Sequence, residues 1–507
     1  FRLWLSSAPD PRFPISILQR GIKMTTEPPR GLRSNLLTLY NTISEEQFGR
    51  CTQVAPYKRL LFGLVWFHAI LLERRKFKSL GFNIPYDFNE SDFAICHDLI
   101  IVFLDEYPDR IPFDAMKYLI AEANYGGRVT DDFDRRLVNC YIAELFQDSA
   151  VDTDNFLLSE LPEYCIPDDG PLATYKEAIR AMPPNDHPLA FGQHPNADIS
   201  SQIDDSNVLI DTLVSLSPRV AQAASDEGED PMVKQCTDLL EQCPETFDLA
   251  DIRKSMESRP DPDPLKTVLY QELDRYNKLL SMIARTLSSI LKASQGLVAV
   301  TPELEDVMSA VTTFKVARGW GKTYPSTKPL GSWMLDLQRR VEMFESWGTV
   351  ELPKQFWLPA FTYPTGFLTA VLQTTARANG LAIDALSWEF PVLQHGNIDD
   401  IKAYPKEGIY ASGLFVEGAC WNFGGCYLEE SRPMELLSPM PIIHFKPVEG
   451  KKKTPKGTYG CPVYMYPVRT GSRERPSYVV SVDLRIGKFT ADMWTKRGVA
   501  LLLSTGN

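Results

Sequence analysis

Apolar residues recur at helical spacing along two long stretches of the chain. In the first, residues 34–149, the segment 57–75 is apolar on nearly every side and ends in charged residues, which is typical of a helix buried along most of its length. Three more helices are predicted there, at 91–107 with Ser91 as the N-cap, at 111–122 and at 131–147. The second stretch, 206–347, contains a long amphipathic helix marked by Leu265, Leu269, Tyr276, Leu280, Ile283, Leu287 and Ile290.

The last third of the chain shows strand patterns instead. An aromatic stretch, a helix-like segment and a strand-like segment follow one another within residues 355–390, which predicts a packing centre of a helix against a sheet. Six or seven short strand-like runs separated by Gly, Pro and charged turns make up the rest, with a short helix at 491–497 before the last run. This spacing predicts a closed or nearly closed antiparallel barrel or a sandwich.

Two segments lack clear periodicity. Residues 1–33 are predicted as strand, loop and strand, and because two strands cannot form a domain alone, they are expected to complete a sheet whose other strands lie outside the sequence. The chain begins with Phe1 rather than an initiator Met, which favours a piece of a longer polypeptide. Residues 150–205 are rich in Pro, Asp and Gly and are predicted to be a linker.

Composition narrows the classes of function. A length of 507 residues predicts about three or four domains. The net charge of -12, with 53 Lys and Arg against 65 Asp and Glu, argues against nucleic-acid binding, which needs a basic face. No run approaches the roughly 18 apolar residues of a membrane helix, so no membrane span is predicted. Nine irregularly spaced cysteines without a signal peptide favour reduced thiols in a cytosolic or ciliary compartment.

Two motifs imitate a nucleotide site without its context. Gly321-Lys322-Thr323 resembles the end of a phosphate-binding loop, but Val316 stands where that motif needs a glycine, and no strand precedes it. The apolar run that ends in Asp105 and Glu106 imitates a magnesium-binding strand, yet it lies upstream of the lysine and follows helical spacing. Both motifs are interpreted as coincidences, so no nucleotide-binding residue is predicted.

Metal-binding and catalytic patterns are equally incomplete. Cys420 and Cys426 have no matching second pair and His444 stands alone, so no metal site is predicted. His68 lies inside the densest apolar helix and is interpreted as a core residue rather than a ligand. Scattered Asp and Glu do not define an acid and base pair, and no catalytic residue is predicted.

A series of longer motifs runs in order along the whole chain: FRLWLSSAP, ILQRGIKMTTEPPRGLRSNLL, LLFGLVWFHAILLERRKFKSLGFNIPYDFNESD, YGGRVTDDFDRRL, FGQHPNADI, LYQELDRYNKLL, YPSTKPLGSWMLDLQRRVEMFESW, FWLPAFTYPTGFLTAVLQTTARAN, GLFVEGACW, TYGCPVYMYPVR and WTKRGVALLLS. Together they resemble the C-terminal end of a dynein heavy chain, particularly an axonemal one. PTGFLTAVLQTTAR followed by LSWEF is most similar to the α heavy chain of the two-headed inner-arm dynein.

The resemblance implies an α+β architecture in four parts. Residues 1–33 would be the end of the sixth AAA+ large subdomain, 34–180 its small helical subdomain, 181–354 the helical part of the C-terminal domain and 355–507 its antiparallel β-barrel part. In active AAA+ modules the first of these strands ends in a polar sensor, whereas Ala8 stands at the matching place. A methyl group cannot orient water or phosphate, so the resemblance implies a structural sixth module. Ala317 is a further departure, because the family commonly has a proline before the tryptophan.

The resemblance also implies a function. The 507 residues would be a non-catalytic part that closes and braces the AAA+ ring of a motor for ATP-driven, minus-end-directed movement on microtubules in the axoneme of a cilium or flagellum. No cofactor is expected in these residues, and ATP and Mg would bind elsewhere in the motor. Expected partners are the rest of the ring, dynein intermediate and light chains, axonemal complexes, and the microtubule only through a stalk outside this sequence; nucleic acid and membrane are not expected.

Two questions stay open at this point. Arg128, Arg135 and Arg136 are candidates for ion pairs at an interface, and solvated helix charges are the alternative interpretation. The alternative to ring bracing is a scaffold whose main task is docking to neighbouring axonemal complexes.

Overall fold

Two large hydrophobic cores organise the molecule. The computed structural model describes residues 3–6, 13–24, 28–216, 231–393, 401, 403–450, 454–465, 469–470 and 477–503, and the side chains of 214–216 are not described. The first core is built from residues between 32 and 197, and the second from residues between 236 and 503. We call the parts around them the lid unit and the C-terminal unit.

The lid unit is helical and is centred on α4. Thirteen of the 20 residues of α4 are buried, because apolar side chains occupy nearly every face of the helix, and α2, α6, α8 and α9 pack around it. The α-helices in this half of the protein are α1 (Ile15–Arg20), α2 (Leu32–Thr42), α3 (Glu45–Phe48), α4 (Val54–Glu73), α5 (Lys78–Gly81), α6 (Glu90–Glu106), α7 (Phe113–Lys117), α8 (Asp132–Leu145), α9 (Asp148–Asp152), α10 (Leu172–Ala181) and α11 (Asn196–Leu216). Short 3-10 turns at Arg74–Phe77, Tyr125–Gly127 and Pro188–Phe191 and a π-helical segment at Tyr118–Asn124 connect them.

The four helices predicted between residues 57 and 147 are confirmed, with one correction at a cap. The N-cap of α6 is Asn89 rather than Ser91. The side chain of Asn89 accepts hydrogen bonds from the backbone N–H groups of Ser91 and Asp92, at 3.1 and 3.2 Å, and Asp92 Oδ2 accepts from the Asn89 N–H at 2.9 Å. This reciprocal pair satisfies donors that Ser91 at the cap position would leave open.

The linker predicted at 150–205 is wrong. Residues from this segment fill the first core, among them Leu158, Tyr164, Ile166, Tyr175 and Ile179, all at most 8 % exposed. They are presented by α10, which packs on α2, and by a short bridge between Leu157 and Cys165. Short turns and bridges bury side chains at irregular intervals, so the segment contributes to the core without showing periodicity.

The second strand predicted within 1–33 is wrong, because a helix stands where it should begin, whereas the first strand stays a prediction, since its partner strands are expected outside the sequence. Residues 3–6 form no strand, and Ile15–Arg20 is a short helix without a buried side chain. Leu3, Trp4 and Leu5 are 58 to 76 % exposed. A strand needs a neighbouring strand to satisfy its backbone groups, and no described segment pairs with this one, whereas a helical turn satisfies them locally.

The helical part of the C-terminal unit is built on α14. All seven residues that marked the predicted long amphipathic helix are at most 2 % exposed, which confirms that helix. Five other helices, α12, α13, α15, α16 and α17, pack on it. The α-helices of this unit are α12 (Pro231–Gln242), α13 (Leu249–Glu257), α14 (Asp263–Ser294), α15 (Pro302–Thr312), α16 (Leu330–Thr349), α17 (Pro364–Asn379) and α18 (Ala491–Lys496), with 3-10 turns at Trp320–Lys322, Leu358–Ala360 and Ile383–Ala385.

The strands of the C-terminal unit form three sheets. They are β1 (Phe356–Trp357), β2 (Leu386–Glu389), β3 (Ile409–Ser412), β4 (Phe415–Glu417), β5 (Cys420–Asn422), β6 (Tyr427–Glu429), β7 (Leu437–Pro439), β8 (Ile443–Glu449), β9 (Thr458–Tyr464), β10 (Tyr478–Arg485) and β11 (Ala500–Leu502). The sheet orders are β1-β3-β8-β2, β10-β9-β11-β4-β7 and β5-β6.

The predicted strands and the helix at 491–497 are confirmed, and their arrangement differs from the expected antiparallel one. The β1–β3 and β11–β9 pairs are parallel, and the other pairs are antiparallel. None of the three sheets closes on itself within the described residues, so the predicted barrel is not confirmed. The sheets instead share one core with α17, which contacts both β8 and β10.

The strand, helix and strand predicted within 355–390 are confirmed as β1, α17 and β2. Pro364 begins α17, where its missing N–H costs no hydrogen bond, and Gly380 ends it with a φ of 65°. Phe367 is fully buried and stacks on Phe361 at a ring-centroid distance of 3.9 Å, with Phe356 at 4.8 Å. These rings form the centre against which helix and sheet pack.

Candidate functional site

The lid unit and the C-terminal unit meet where α18 and residues 497–499 rest on α8 and on residues 74–83. We call this region the joint. Gly498 lies at its closest approach, with a φ of 69°. A β-carbon there would overlap the carbonyl oxygen of Leu80, so the two backbones come this close only because residue 498 is glycine.

Arg74 is the central side chain of the joint, and none of it is exposed to solvent. Its five N–H donors all have acceptors, which are four carbonyl oxygens and one hydroxyl. The partners are Gly81 O at 2.7 Å, Leu80 O at 3.2 Å, Phe191 O at 2.9 Å, Tyr141 Oη at 2.5 Å and, in the C-terminal unit, Lys496 O at 2.5 Å. A single arginine thus ties together four segments of the two units.

Backbone carbonyl dipoles stabilise the buried positive charge of Arg74. Lys496 is the last residue of α18, so the guanidinium contacts a carbonyl at the negative end of that helix. Burial lowers the pKa of Arg74, and the neighbouring Tyr141 opposes that shift. Removing these acceptors would leave the buried guanidinium of Arg74 without hydrogen bonds, which costs free energy. The position of the two units relative to each other at the joint is therefore strongly determined.

Ion pairs and a thiol surround this centre. Lys496 Nζ lies 2.7 Å from Glu144 Oε1 on α8. Arg497, only 3 % exposed, lies 2.8 Å from Glu430 in its own unit and 3.6 Å from Glu160 in the lid unit. In addition, the thiol of Cys140 lies 3.4 Å from Asp492 Oδ1. Arg497 and Cys140 are buried, whereas Glu144, Glu160 and Glu430 are 42 to 49 % exposed, so these pairs add modestly to the contact that Arg74 makes.

A second polar group lies at the edge of the joint. The side-chain amide of Asn83 donates to Tyr464 Oη in the C-terminal unit at 2.7 Å and to Asp131 Oδ1 at 3.0 Å. Asp134 accepts from the backbone N–H of Asn83 at 2.9 Å and from the Tyr86 hydroxyl at 3.0 Å. Burial raises the pKa of Asp134 to about 7, and the charge of Asp131 adds to that effect, while the hydrogen bonds oppose it.

Asn196 makes a third contact between the units at the start of α11. Its amide donates to the carbonyl oxygens of Arg432 at 2.8 Å and Glu435 at 3.0 Å, and its oxygen accepts from the Met434 N–H at 2.9 Å. Asn196 is 6 % exposed. One side chain thus satisfies three backbone groups of a loop in the C-terminal unit.

The three candidate arginines lie near one another but have different partners. Arg128 pairs with Asp92 at 2.8 Å, and Arg135 donates to Val129 O at 2.8 Å, both within the lid unit. Arg136 crosses the joint, where it donates to Gly460 O at 3.1 Å and to the Tyr459 hydroxyl at 2.9 Å. Its guanidinium also lies 4.7 Å from the centre of the Tyr459 ring.

The other residues weighed as functional from the sequence, where the structure describes them, belong to the core or to ordinary helical elements. His68 is 1 % exposed and shares a 2.8 Å hydrogen bond between Nδ1 and the Tyr125 hydroxyl, which confirms it as a core residue. Gly321 and Lys322 belong to a 3-10 turn, and Asp105 and Glu106 end α6 rather than a strand. Ala8 lies outside the described residues.

Potential metal ligands have other partners in the structure. Within the described ranges, no group of three or more His, Cys, Asp or Glu side chains is placed to hold a metal ion. Cys420 Sγ contacts the Glu430 carbonyl at 3.1 Å and His444 Nε2 the Glu407 carbonyl at 2.8 Å. In the same part of the protein, no helix combines the length and the apolar character that crossing a membrane requires.

Arg74, Asn83 and Gly498 were not found from the sequence. Arg74 stands in the run Glu73-Arg74-Arg75-Lys76, which indicates the solvated end of a helix. The spacing gives only a weak indication of burial, because Arg74 follows the buried Ile70 by four residues and the buried Leu71 by three. Nothing local separates it from Arg75, whose side chain is 35 % exposed.

Comparison with known proteins gives matches along both units. Residues 57–197 match the sequence profile of the AAA lid domain of dynein heavy chains, and residues 203–503 match the profile of their C-terminal domain. The protein is 52 % identical over 509 aligned residues to the dynein-1-beta heavy chain of the flagellar inner arm I1 complex of Chlamydomonas reinhardtii. It is 49 % identical to dynein axonemal heavy chain 2 of Mus musculus and of Homo sapiens. Each alignment covers 99 % of this sequence and 11 % of the relative.

These matches and the fold define a AAA-type lid followed by a C-terminal domain of mixed helices and sheets, the two locked together at the joint. The chain belongs to the dynein heavy chain family, and it matches the C-terminal region of those proteins. The family predicted from the sequence is therefore confirmed. The finer assignment to an α heavy chain stays a prediction, since the relative at 52 % identity is a β heavy chain.

Proposed function

We propose that these residues close and brace the AAA+ ring of an axonemal dynein heavy chain and do not themselves catalyse a reaction. The names of the relatives, which are axonemal and flagellar heavy chains, support a place in the axoneme of a cilium or flagellum. In this proposal the longer protein uses ATP and Mg, bound elsewhere in the ring, to drive minus-end-directed movement on microtubules. Contact with the microtubule is made by a stalk outside these residues.

The joint is the observation that carries the proposal. A brace must transmit motion between rigid parts, and domains joined by exposed polar contacts move against each other by default. Here a fully buried arginine, a glycine at the closest backbone approach and Asn196 hold the two units in one arrangement. A displacement of the lid unit is thereby passed to the C-terminal unit.

The finer division of the sequence follows from the same proposal. Residues 1–33 belong to the sixth AAA+ large subdomain, 34–180 to its small subdomain, and 181–354 and 355–507 to the helical and barrel parts of the C-terminal domain. The profile matches end at 197 and resume at 203, which favours moving the boundary at 180 to about residue 200. The three sheets around α17 are the basis for a barrel-like body. Arg128 and Arg135 are proposed to face neighbouring parts of the ring, and Ala8 is proposed as the degenerate sensor position of the sixth module.

The first test is the activity of the isolated 507-residue protein. We expect no ATP hydrolysis above background and no sedimentation with microtubules, because the proposal places both functions elsewhere in the heavy chain. A longer heavy chain prepared in the same way is the positive control. Robust turnover by the isolated 507 residues would overturn the proposal.

A docking scaffold is the second candidate, because one relative is named as part of the flagellar inner arm I1 complex. Intermediate and light chains and neighbouring axonemal complexes are then the proposed partners. Deleting residues 203–503 from the longer heavy chain separates the two functions. Changed ATP turnover or processivity supports bracing, whereas unchanged motility with lost assembly into axonemes supports docking.

A further inference from the structure

A cleft of about 440 Å³ opens on the sheet part of the C-terminal unit. Its volume falls in the range of ligand sites, roughly 300 to 1,000 Å³. Aromatic rings and charged side chains share its walls. The lining residues include Trp388, Phe390, Trp421, Asp483 and Arg485.

One wall of the cleft is aromatic. Trp388 and Phe390 are half-buried, stack at a centroid distance of 6.4 Å and both pack edge-on against the buried Phe445. Their positions are therefore fixed from behind, while their remaining surface faces the cleft. In the described part of the protein no cation lies over these two rings, whereas the Trp357 ring is covered by Arg339 at 4.2 Å.

Asp483 on β10 also lines the cleft. This carboxylate is half-buried, and burial raises its pKa. Among the described residues its oxygens have no hydrogen-bond or ion-pair partner, whereas Asp134, another buried carboxylate, accepts three hydrogen bonds. Arg485, two residues further along β10, also lines the cleft. A desolvated carboxylate without a partner favours a cationic ligand.

The backbone beside the aromatic wall belongs to a strand that ends its sheet among the described residues. β2 is the last strand in its sheet order and pairs on one side with β8. Its other edge has no strand among the described residues. Extended peptides add to such edges through main-chain hydrogen bonds, and pockets for alternate side chains then give specificity.

We propose that this cleft binds an extended segment of a partner protein that lies along β2 and places a lysine or arginine side chain between the Trp388 and Phe390 rings and Asp483. The aromatic faces attract the cation and the apolar stem, and the carboxylate supplies the opposite charge. This inference does not depend on the bracing role, because the cleft and the joint have no lining residue in common.

The test uses the 507-residue protein labelled with ¹⁵N in its tryptophan indoles, with the Trp388 and Trp421 signals assigned by single Phe substitutions. The probes are acetyl-Val-Lys-Val-amide, its arginine analogue, its norleucine analogue and tetramethylammonium. The cationic peptides are expected to shift the Trp388 signal, with the norleucine peptide binding about tenfold more weakly. Equal binding of the norleucine peptide would overturn the proposal, and so would tetramethylammonium binding as tightly as the lysine peptide, because the peptide backbone would then contribute nothing.

Variants locate the charge. Asp483→Asn is expected to weaken binding of the lysine peptide about tenfold, whereas Asp384→Asn, at an exposed carboxylate just before β2, leaves it unchanged. Binding to the Trp388 variants is read from the signal of Trp421, which also lines the cleft. Trp388→Phe keeps an aromatic face and is expected to retain binding, and Trp388→Leu is expected to lose it. Unshifted signals of the other tryptophans report that each variant is folded. Wild-type affinity in folded Asp483→Asn would contradict the proposed role of that carboxylate.

Discussion

Replacing Arg74 with methionine tests the joint, because it removes the guanidinium and keeps much of the apolar stem. Two of its acceptors retain other donors, since Leu80 O also accepts from Gln193 at 2.6 Å and Phe191 O from the Tyr141 hydroxyl at 2.5 Å. Gly81 O and Lys496 O have no other described donor. Leaving these two buried carbonyls without a donor lowers the free energy of unfolding by about 2 to 6 kcal/mol. Part of this loss is offset, because the variant no longer has to bury a charged guanidinium. We expect Arg74→Met to lower the free energy of unfolding by about 3 kcal/mol.

The assay is urea unfolding combined with hydrogen exchange read by mass spectrometry. Peptides covering 491–499 and 74–83 should lose protection together in Arg74→Met, because the hydrogen bond from Arg74 to the last carbonyl of α18 is lost. Arg75→Met is the matched control: that arginine pairs with Asp87, which is 95 % exposed, so its loss should cost less than about 1 kcal/mol. Equal stability of the two variants, or an Arg74→Met protein as stable as the wild type, would refute the role assigned to Arg74.

Three further changes test other parts of the structure. Gly498→Ala should destabilise the protein by about 2 to 4 kcal/mol in urea unfolding, because it adds an overlap with Leu80 O to the strain of a positive φ. Gly296→Ala is the control: its φ is 77°, but nothing lies within 4 Å of the added carbon, so only backbone strain of about 1 kcal/mol is expected. Equal losses of stability in the two variants would contradict the close approach of residue 498 to Leu80. Phe367→Asp buries a carboxylate among aromatic rings and should make residues 355–503 sensitive to limited proteolysis while the helices of residues 34–150 stay protected; an unchanged C-terminal third would argue against the packing centre. Burial lowers the pKa of His68 from 6.5 to about 4. As the pH drops from 6.5 to 4, the imidazole is protonated in the unfolded state before it is protonated in the folded state, so the free energy of unfolding falls over that range. The contribution is about 3 kcal/mol, so the stability difference between wild type and His68→Gln should shrink over that range, and a constant difference would show that His68 is not held neutral.

Periodicity and unbroken apolar runs were sufficient for the most deeply buried helices. The markers of α14, from Leu265 to Ile290, are inside the protein because a helix repeats its buried face every three or four residues, and α4 is buried because its apolar residues cover nearly every face. The rings around Phe367 were found for the same reason, since Pro364 and Gly380 limit α17 on either side.

Irregular and long-range contacts were not predictable in this way. Tyr164 and Ile166 are buried by turns in a Pro-rich segment, where no repeat marks them. Arg74 and Arg136 acquire their roles from Lys496 and Gly460, which are more than 300 residues further along the sequence. A single sequence contains no local sign of such partners, and for the same reason the cleft beside Trp388 and Asp483 could not be assembled from it.

The most direct test of the bracing account measures microtubule gliding and ATP turnover by the longer heavy chain with Arg74→Met, beside the Arg75→Met control. If the joint transmits motion through the ring, Arg74→Met should slow gliding and alter turnover, while Arg75→Met keeps both at the wild-type level. Equal gliding and turnover by the two variants, in protein whose joint has lost its hydrogen-exchange protection, would contradict the account.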